Sequence, residues 1–401
     1  MDYQKTHPWI RFSIDLRQCG YRLWLTLGEI ASKIEHLSGA ALRPDVAVEL
    51  NKIYLTKGAR ATTAIEGNTL SEEQVKLAVE GKLDLPASQR YLQVEVENIL
   101  DLCNEEVQSL LTDEGKHHPG LCVGLMKRYN VGVLKGLELS EGTVPGEIRE
   151  HSVVVGNIYR GPLAQDCEFL LNKLCEWLNG ADFKAPDAAL QVPLALVKAI
   201  VAHVYFAWIH PFGDGNGRTA RLLEFHILLA NGVPMPAAHL LSDHYNLTRS
   251  QYYRELAKAS ASGGDLIPFI TYALQGFLDG IREQIRRVRE QQLIVAWENY
   301  VHGRFREFRP SKTHKRRRDL VLELSRHEWV EVAKIELLTP QIAREYAAAG
   351  DRMIQRDLNE LAKLRLIERR HGKVMTRKYL IQAFLPARVK DKVAMSKKPN
   401  V

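Results

Sequence analysis

The most apolar stretch of the chain, Val192–Ile209, constrains the fold more than any other feature. It is interrupted by Pro193, Lys198 and His203. A membrane-spanning helix needs about 20 mostly uncharged residues. We therefore expect a buried core helix and no membrane span, with His203 in a buried structural role.

Most of the remaining sequence also has the three- and four-residue spacing of apolar side chains that predicts helices. The clearest such segments are Ser88–Leu111, Asp166–Asn179, Leu190–Ile209 and Thr219–Ala230. One stretch differs: Ser152–Tyr159 has β-branched residues on both sides of a Gly-Asn turn signal, which predicts a small hairpin. The fold class is thus predicted to be all-α with one β-hairpin.

Cysteines and charge give two further indications. The five cysteines are odd in number and form no CxxC pair, which favours a reducing cytoplasm. From Arg304 to Val401 the chain has 25 Lys and Arg against 12 Asp and Glu, a balance of +13, whereas the preceding part carries −6. A basic C-terminal module suggests an anionic partner, most plausibly nucleic acid.

The C-terminal module is predicted to contain several short elements in the order of a winged helix. A charged helix, Asp279–Tyr300, and a basic connector, Arg304–Arg318, precede it. Its predicted elements are short helices at Arg318–Leu324, Ala333–Leu338 and Pro340–Ala349, an amphipathic helix at Asp351–Leu361, and hairpin strands at Leu366–Arg370 and Lys378–Ile381 around a turn with Gly372. A disordered tail is expected from Asp391 to Val401.

The segment His210–Arg221, directly after the apolar helix, has the composition of a phosphate site. Three glycines allow sharp turns that point backbone N–H groups at one anion, next to the start of a helix. Arg218 and Arg221 share one helix face and suit phosphate oxygens. Asp214 offers the hard oxygen ligand that Mg²⁺ requires, and His210 can accept a proton from a hydroxyl.

This segment matches the signature of Fic domains, HPFx[D/E]GNGRxxR, at every specified position. Flanking residues are also similar to that family, including Gly146–Arg149 and the segment from Ser242 to Tyr253. The resemblance covers roughly Ala61 to Gly280. It implies a Fic helical core with the hairpin as a flap, and transfer of AMP from ATP to Ser, Thr or Tyr of a protein.

The resemblance also implies a role for each residue of the loop. His210 would be the catalytic base, Phe212 would anchor the loop in the core, and Asp214 would hold Mg²⁺. The remaining loop residues would bind ATP phosphates: Gly213, Gly215, Asn216, Gly217, Arg218 and Arg221. The adenine side is assigned to Tyr245, Tyr252 and Tyr253, and the target-binding flap to Ser152, Val153, Val154 and Val155.

An upstream segment, Thr62–Asn68, reads as a helix end stopped by Gly67. A glutamate at a helix C-terminus is unfavourable for the helix dipole, so Glu66 should have a cation nearby. The segment resembles the inhibitory motif of the family, [S/T]xxxE[G/N], with Thr62, Glu66 and Gly67 in the fixed places. It implies that Glu66 pairs with Arg221 and blocks productive ATP binding. In some relatives the same glutamate positions a water that removes AMP.

Five regions follow from these observations. They are an N-terminal helical region over 1–115 with the inhibitory helix at about 53–67, the Fic core over 116–285, a linker over 286–317, a winged helix over 318–386 and a basic tail over 387–401. Arg352, Gln355 and Arg356 would face a DNA groove, with the wing residues Arg369, Arg370, Lys373, Arg377 and Lys378 at phosphates. The module could equally contact protein or form a homodimer.

Two other functions stay open at this point. One is a nucleotide-sensing, DNA-binding transcription regulator, although a sensor needs no general base such as His210. The other is a Fic phosphotransferase, a branch that lacks the full Gly-Asn-Gly anion site. AMP transfer to a target protein, with self-modification as a further outcome, is the favoured hypothesis.

Overall fold

The computed structural model describes residues 2–112, 120–155, 159–346 and 351–382. The chain divides into two compact units, residues 1–287 and residues 288–401. Each unit has a hydrophobic core of its own.

The first unit is helical apart from one hairpin. Its α-helices are α1 Tyr3–Thr6, α2 Tyr21–Ser38, α3 Pro44–Ala64, α4 Glu72–Val79, α5 Arg90–Thr112, α6 Val123–Leu134, α7 Ala164–Leu178, α8 Gln191–Ile209, α9 Asn216–Ala230, α10 Met235–Ala238, α11 Leu240–Leu247, α12 Arg249–Ala261 and the first part of α13, Ile267–Arg306. Short 3₁₀ turns lie at Leu16–Gln18, Ala87–Gln89, Ala181–Phe183 and Ala188–Leu190. The four clearest predicted helical segments therefore occur as α5, α7, α8 and α9, with no end shifted by more than three residues.

Helix α8 is the centre of this unit. Among the described residues, Ala188–Ile209 is the one helix long and apolar enough to cross a membrane, by length and composition. Yet 83% of that window is buried inside the protein, and α2, α7 and α9 pack against it. As predicted, His203 is fully buried, and its Nε2 lies 2.9 Å from the hydroxyl of Tyr252.

The hairpin consists of β1, Val154–Val155, and β2, Tyr159–Arg160. The strands are antiparallel, and Val154 pairs with Arg160. The predicted turn residues Gly156, Asn157 and Ile158 lie outside the described residues. The stem of the hairpin is joined to the rest of the unit by an isolated bridge between Ile148 and Phe212.

The second unit contains the end of α13 and a small α/β arrangement. Its further elements are α14 Lys312–Leu324, β3 Val330–Glu331, a 3₁₀ helix Val332–Leu337, α15 Pro340–Tyr346, α16 Asp351–Lys363, β4 Ile367–Arg370, β5 Lys373–Thr376 and α17 Tyr379–Gln382. The strands form one antiparallel sheet in the order β3-β5-β4. A hairpin therefore follows the helices, as the sequence predicted, whereas the short strand β3 between α14 and the 3₁₀ helix was not predicted.

Asp357 of α16 is the buried polar centre of this unit. Its carboxylate accepts hydrogen bonds of 2.7 Å from Arg316 and Arg317 and one of 3.0 Å from the hydroxyl of Tyr346. Burial alone would raise the pKa of this carboxyl, but the hydrogen bonds outweigh burial and hold it below its usual range. Asp357 thus fixes α16 against α14 and α15.

Two predictions for this region were wrong. The second wing strand is Lys373–Thr376, and the segment predicted as that strand, Lys378–Ile381, lies largely in α17. The reason is the tightness of the turn: His371 and Gly372 both have positive φ, as a two-residue hairpin turn requires, so β5 begins at once.

The predicted connector Arg304–Arg318 is also shorter than expected. Helix α13 runs unbroken through 40 residues to Arg306, and α14 begins at Lys312. Ser311 caps α14 by accepting a hydrogen bond from the amide of His314. The end of the predicted helix 340–349 and the predicted tail 391–401 lie outside the described residues.

Candidate active site

His210 is held where α8 ends. Its backbone is left-handed, with φ 47° and ψ 61°, and its amide donates to the carbonyl of Phe206 at 2.9 Å. This conformation is costly for a residue other than glycine and persists only where the surroundings impose it. It turns the chain out of the apolar core into the loop that leads to α9.

Arg149 is the side chain that holds this turn. Its Nε donates to the carbonyl of His210 at 2.8 Å, and its two terminal nitrogens donate to the carbonyls of His151 and Pro162 at 2.6 Å each. Its amide donates to the carbonyl of Pro211 at 3.0 Å. One buried guanidinium therefore ties the stem of the flap to the loop, a role that the family resemblance of Gly146–Arg149 did not specify.

The imidazole of His210 is neutral at neutral pH. Burial lowers its pKa to about 4, although the nearby carboxylates favour the protonated form and oppose this shift. A histidine that is mostly unprotonated at pH 7 has a nitrogen lone pair available, which is what a general base needs.

Two glycines of the loop lie very close to the side chains of other residues. A Cβ at Gly213 would overlap the side chain of Thr143, and one at Gly217 would overlap Oε1 of Glu66. Gly215 has φ 75° directly before α9. The first amides of a helix have no partners within the helix and carry the positive end of its dipole. The start of α9 is therefore suited to an anion.

Asn216 closes the loop with its side chain. Its Oδ1 accepts from the amide of Phe212 at 3.0 Å, and its Nδ2 donates to the carbonyl of the same residue at 2.8 Å. Asn216 and Phe212 are both buried. The two hydrogen bonds between the Asn216 side chain and the Phe212 backbone are in addition to the backbone role predicted for Asn216.

Asn130 on α6 supports the loop from below and was not predicted. It is fully buried, donates to the carbonyl of Asp214 at 2.8 Å, and accepts from the amide of Gly146 at 2.9 Å. It therefore connects the loop to the start of the flap stem. No local pattern in α6 marks it, because its partners come from distant parts of the chain.

Arg221 is almost completely buried and is engaged by the end of α3. Its Nη2 lies 2.6 Å from Oε1 of Glu66 and 2.8 Å from the carbonyl of Thr62. Burial alone would raise the pKa of the Glu66 carboxyl, but the charge and hydrogen bond of Arg221 hold it below its usual range. The pairing implied by the family resemblance is thus present. Thr62 contributes through its carbonyl, and Gly67 turns the chain with φ 107°.

Arg218 is also engaged by carboxylates. Its Nη1 lies 3.1 Å from Oε1 of Glu95 on α5, and its Nη2 lies 3.4 Å from Oδ1 of Asp214. Nε of Arg218, like Nε and Nη1 of Arg221, is buried and meets no hydrogen-bond partner among the described residues. Both arginines therefore retain N–H groups that could donate hydrogen bonds to an anion.

Asp214 differs from the other carboxylates of the site in its exposure. Its side chain is 51% exposed, and its Oδ1 accepts from the amide of Gly215 at 2.5 Å. Within the described ranges no group of three or more His, Cys, Asp and Glu side chains could hold a metal by itself. A cation at Asp214 would need further oxygen ligands from phosphate or water, which is the usual arrangement for Mg²⁺.

The three tyrosines predicted on the adenine side are in different environments. Tyr245 is fully buried, with its hydroxyl donating to Glu224 at 3.0 Å, and Tyr252 is buried beside His203. Their rings belong to the core, so the structure does not present them to a ligand. Tyr253 is 43% exposed, and its hydroxyl lies 3.4 Å from the carbonyl of Ile65. Of these three tyrosines, Tyr253 is the one that lies beside the Thr62–Asn68 segment.

The residues predicted to bind the target lie in and directly before strand β1 of the hairpin. Ser152 is exposed, Val153 is half-buried and Val154 is exposed. The side chain of Val155 lies outside what the structure describes. The carbonyl of Val153 accepts from the amide of Gly161 at 3.2 Å, which extends the pairing of β1 and β2 by one bond.

Residues 132–228 match the Fic/DOC family. The chain is 32% identical over 253 residues to protein adenylyltransferase fic-1 of Caenorhabditis briggsae, an alignment that covers 62% of this chain and 44% of that protein. It is 31% identical over 211 residues to protein adenylyltransferase Fic of Nematostella vectensis, covering 53% and 44%. The chain thus spans less than half the length of these curated relatives.

Two solved structures share the fold. A Fic family protein from Desulfovibrio desulfuricans G20 has a TM-score of 0.54 at 21% identity, covering 89% of this chain and 95% of that one. A segment of Fic-1 from C. elegans has a TM-score of 0.52 at 23% identity, covering 67% and 74%. At these identities the likeness establishes the fold alone.

Asn216→Ala should destabilise the first unit. The change removes two buried hydrogen bonds and leaves both polar groups of the Phe212 backbone without a partner, at a cost of about 2 kcal/mol or more. For a unit of this size that corresponds to a fall of about 4–8 °C in the thermal midpoint. Asn172→Ala, which removes an exposed side chain on α7, is the control and should change the midpoint little. Equal midpoints for the two variants would contradict the closing role of Asn216.

Proposed function

Residues 132–228 place this chain in the Fic/DOC family, and from that premise we propose that it transfers AMP from ATP to a Ser, Thr or Tyr hydroxyl of a protein. The observation that carries the proposal is the neutral imidazole of His210 beside the anion site at the start of α9. A base and a phosphate site at adjacent positions are the two parts that nucleotidyl transfer needs. The names of the relatives support the same reaction.

The proposed reaction is a displacement at the α-phosphorus of ATP. The target hydroxyl oxygen attacks that phosphorus while His210 accepts the hydroxyl proton, and the bond to the oxygen bridging the α- and β-phosphates breaks. Diphosphate leaves towards the amides at Gly215–Gly217, where the positive end of the α9 dipole stabilises it. Arg218 and Arg221 bind the β- and γ-phosphates. Positioning and charge neutralisation do most of the work.

Asp214 would hold the Mg²⁺ ion of the nucleotide. Its half-exposed carboxylate beside the anion site fits a cation that takes its other ligands from phosphate oxygens and water. When bound, the ion neutralises phosphate charge. Asn130 keeps the backbone of Asp214 in place for this task.

We propose that Glu66 inhibits the reaction by occupying Arg221. A carboxylate and a γ-phosphate cannot use the same guanidinium donors at once. The buried location of Arg221 makes this competition strong, because screening by solvent is weak there. The carboxylate of Glu66 would also serve any removal of AMP from the target.

The target segment is proposed to add to the flap as an extended strand. Val154 is 51% exposed on a two-stranded hairpin, and an open strand edge binds main chain by hydrogen bonds. The flap stem is tied to the catalytic loop through Arg149, so a peptide on the flap would be in fixed register with His210. Self-modification would use the same edge.

A second function, duplex DNA binding, is proposed for the winged helix. Arg352, Gln355, Arg356 and Asn359 are exposed and lie on one face of α16. The wing residue Arg369 donates to Gln355 at 2.6 Å and to Asn359 at 2.7 Å, so the wing and this face form one basic surface. Such a helix suits the major groove. Together with the reaction above, this describes an enzyme that binds DNA.

The cytoplasm is the proposed compartment. All five cysteines are free, and four of them are buried. Burial raises the pKa of the Cys103 and Cys175 thiols, so these groups are inert and need no oxidising environment.

His210→Ala should lower the rate of AMP transfer by at least about a hundredfold, the usual contribution of a general base. Nucleotide affinity should change little, because the phosphate groups of the site stay in place. The rate is measured with labelled ATP and the affinity by calorimetry. His36→Ala, on an exposed surface of α2, is the control. Transfer by His210→Ala within tenfold of the wild type would rule out His210 as the base.

Glu66→Gly should raise the initial rate of AMP incorporation. A charge-assisted hydrogen bond is worth about 1.5–3 kcal/mol, so its loss should favour productive nucleotide binding by about one to two decades. Any AMP removal should disappear. Glu49→Gln, on the exposed side of helix α3, which precedes Glu66, is the control. An unchanged rate in Glu66→Gly would mean that the ion pair is purely structural.

The intact chain should bind duplex DNA with an affinity that falls steeply as salt rises. Each phosphate contact contributes a slope of about −0.9 in a plot of log K against log salt. Arg352→Ala with Arg356→Ala should weaken binding, whereas Arg17→Ala in the first unit should not. Fluorescence anisotropy with a labelled duplex measures both. Absence of binding at low salt would leave the module a protein-contact domain.

A further inference from the structure

Arg218, like Arg221, is proposed to bind a phosphate of the nucleotide, and it pairs with a different carboxylate. Oε1 of Glu95 lies 3.1 Å from Nη1 of Arg218, and the two side chains are only 17% and 5% exposed. Glu95 projects from α5 and is far from the loop in sequence. It belongs neither to the catalytic loop nor to the inhibitory motif.

The other oxygen of Glu95 is held by the segment that carries Glu66. Oε2 of Glu95 accepts from Nδ2 of Asn68 at 2.8 Å, and the same nitrogen donates to the carbonyl of Leu92 at 2.9 Å. Asn68 is buried, and its Oδ1 accepts from the amide of Leu70 at 3.1 Å. Asn68 lies two residues after Glu66, in the turn that follows α3.

We propose that Glu95 is a second inhibitory carboxylate, which withholds Arg218 from the nucleotide as Glu66 withholds Arg221. This inference rests on the proposed function. Asn68 ties Glu95 to the turn that carries Glu66, and Glu66, Asn68 and Glu95 are called the latch below. Displacement of the turn after α3 then releases both arginines together.

The geometry of Arg218 carries this proposal. Nη1 is engaged by Glu95 and Nη2 faces Asp214, whereas Nε is buried and has no partner among the described residues. Paired binding of a phosphate through the terminal nitrogens requires Glu95 to yield Nη1. An incoming phosphate also brings negative charge towards a little-exposed carboxylate, which raises the cost of binding while Glu95 stays in place.

The test measures nucleotide affinity and does not depend on turnover. The intact chain carrying Glu95→Gln is titrated with α,β-methylene ATP and Mg²⁺ by calorimetry, and separately with AMP. The variant keeps the shape and the acceptor for Asn68 but removes the charge. We expect the Kd for the ATP analogue to fall by about tenfold, the lower end of the range for a charge-assisted hydrogen bond.

AMP is the control ligand, because it lacks the phosphates that Arg218 would bind. Its Kd should stay unchanged in Glu95→Gln, whereas a merely structural change would shift both ligands. Asp101→Asn, exposed on the same helix, is the control variant. A Kd for the ATP analogue that is unchanged or higher would overturn the proposal, since Glu95 would then position Arg218 for the phosphate.

The latch is tested by combining the two changes. Because Asn68 ties Glu95 to the turn that carries Glu66, the gain from Glu95→Gln should be smaller in a Glu66→Gly background than in the wild type. Equal gains in the two backgrounds would overturn the latch. If neither the wild type nor any variant transfers AMP while the affinities change as expected, the proposed reaction is refuted. The competition between Glu95 and the nucleotide for Arg218 would still hold.

Discussion

The site depends on the way in which α8 passes into α9. Both helices are largely buried and pack against each other, so the ends of the loop between them are fixed by the core. The loop must leave α8 through a left-handed residue and enter α9 through a glycine with positive φ. The packing of the two helices thereby brings His210 and the N-terminus of α9 together.

Charge balance is the second organising feature. Two buried guanidinium groups would be costly without counter-charges, and Glu66, Glu95 and Asp214 supply them in this state. The nucleotide would replace at least one of these carboxylates with phosphate. The carboxylates that balance the charge of the two buried arginines also occupy some of their hydrogen-bond donors.

Features formed by residues close together in the sequence could be predicted. Contacts between residues that are distant in the sequence could not. The His210–Arg221 loop, the core helix and the flap strands are each specified by neighbouring residues. Glu95, Asn130 and the three carbonyls bound by Arg149 depend on how α5, α6 and the flap stem approach α9. The second wing strand was predicted too far along the chain, at Lys378–Ile381. The two-residue turn at His371-Gly372 is tighter than the basic composition suggested, so the strand begins at Lys373.

Gly217 is the point at which the Glu66 side chain approaches the start of α9. Gly217 lies under Glu66 so closely that any side chain would overlap the Glu66 carboxylate, and its amide belongs to the first turn of α9. A larger residue there would displace the Glu66 carboxylate from its contact with Arg221. The absence of a side chain at position 217 therefore makes room for a buried ion pair directly beside the start of α9.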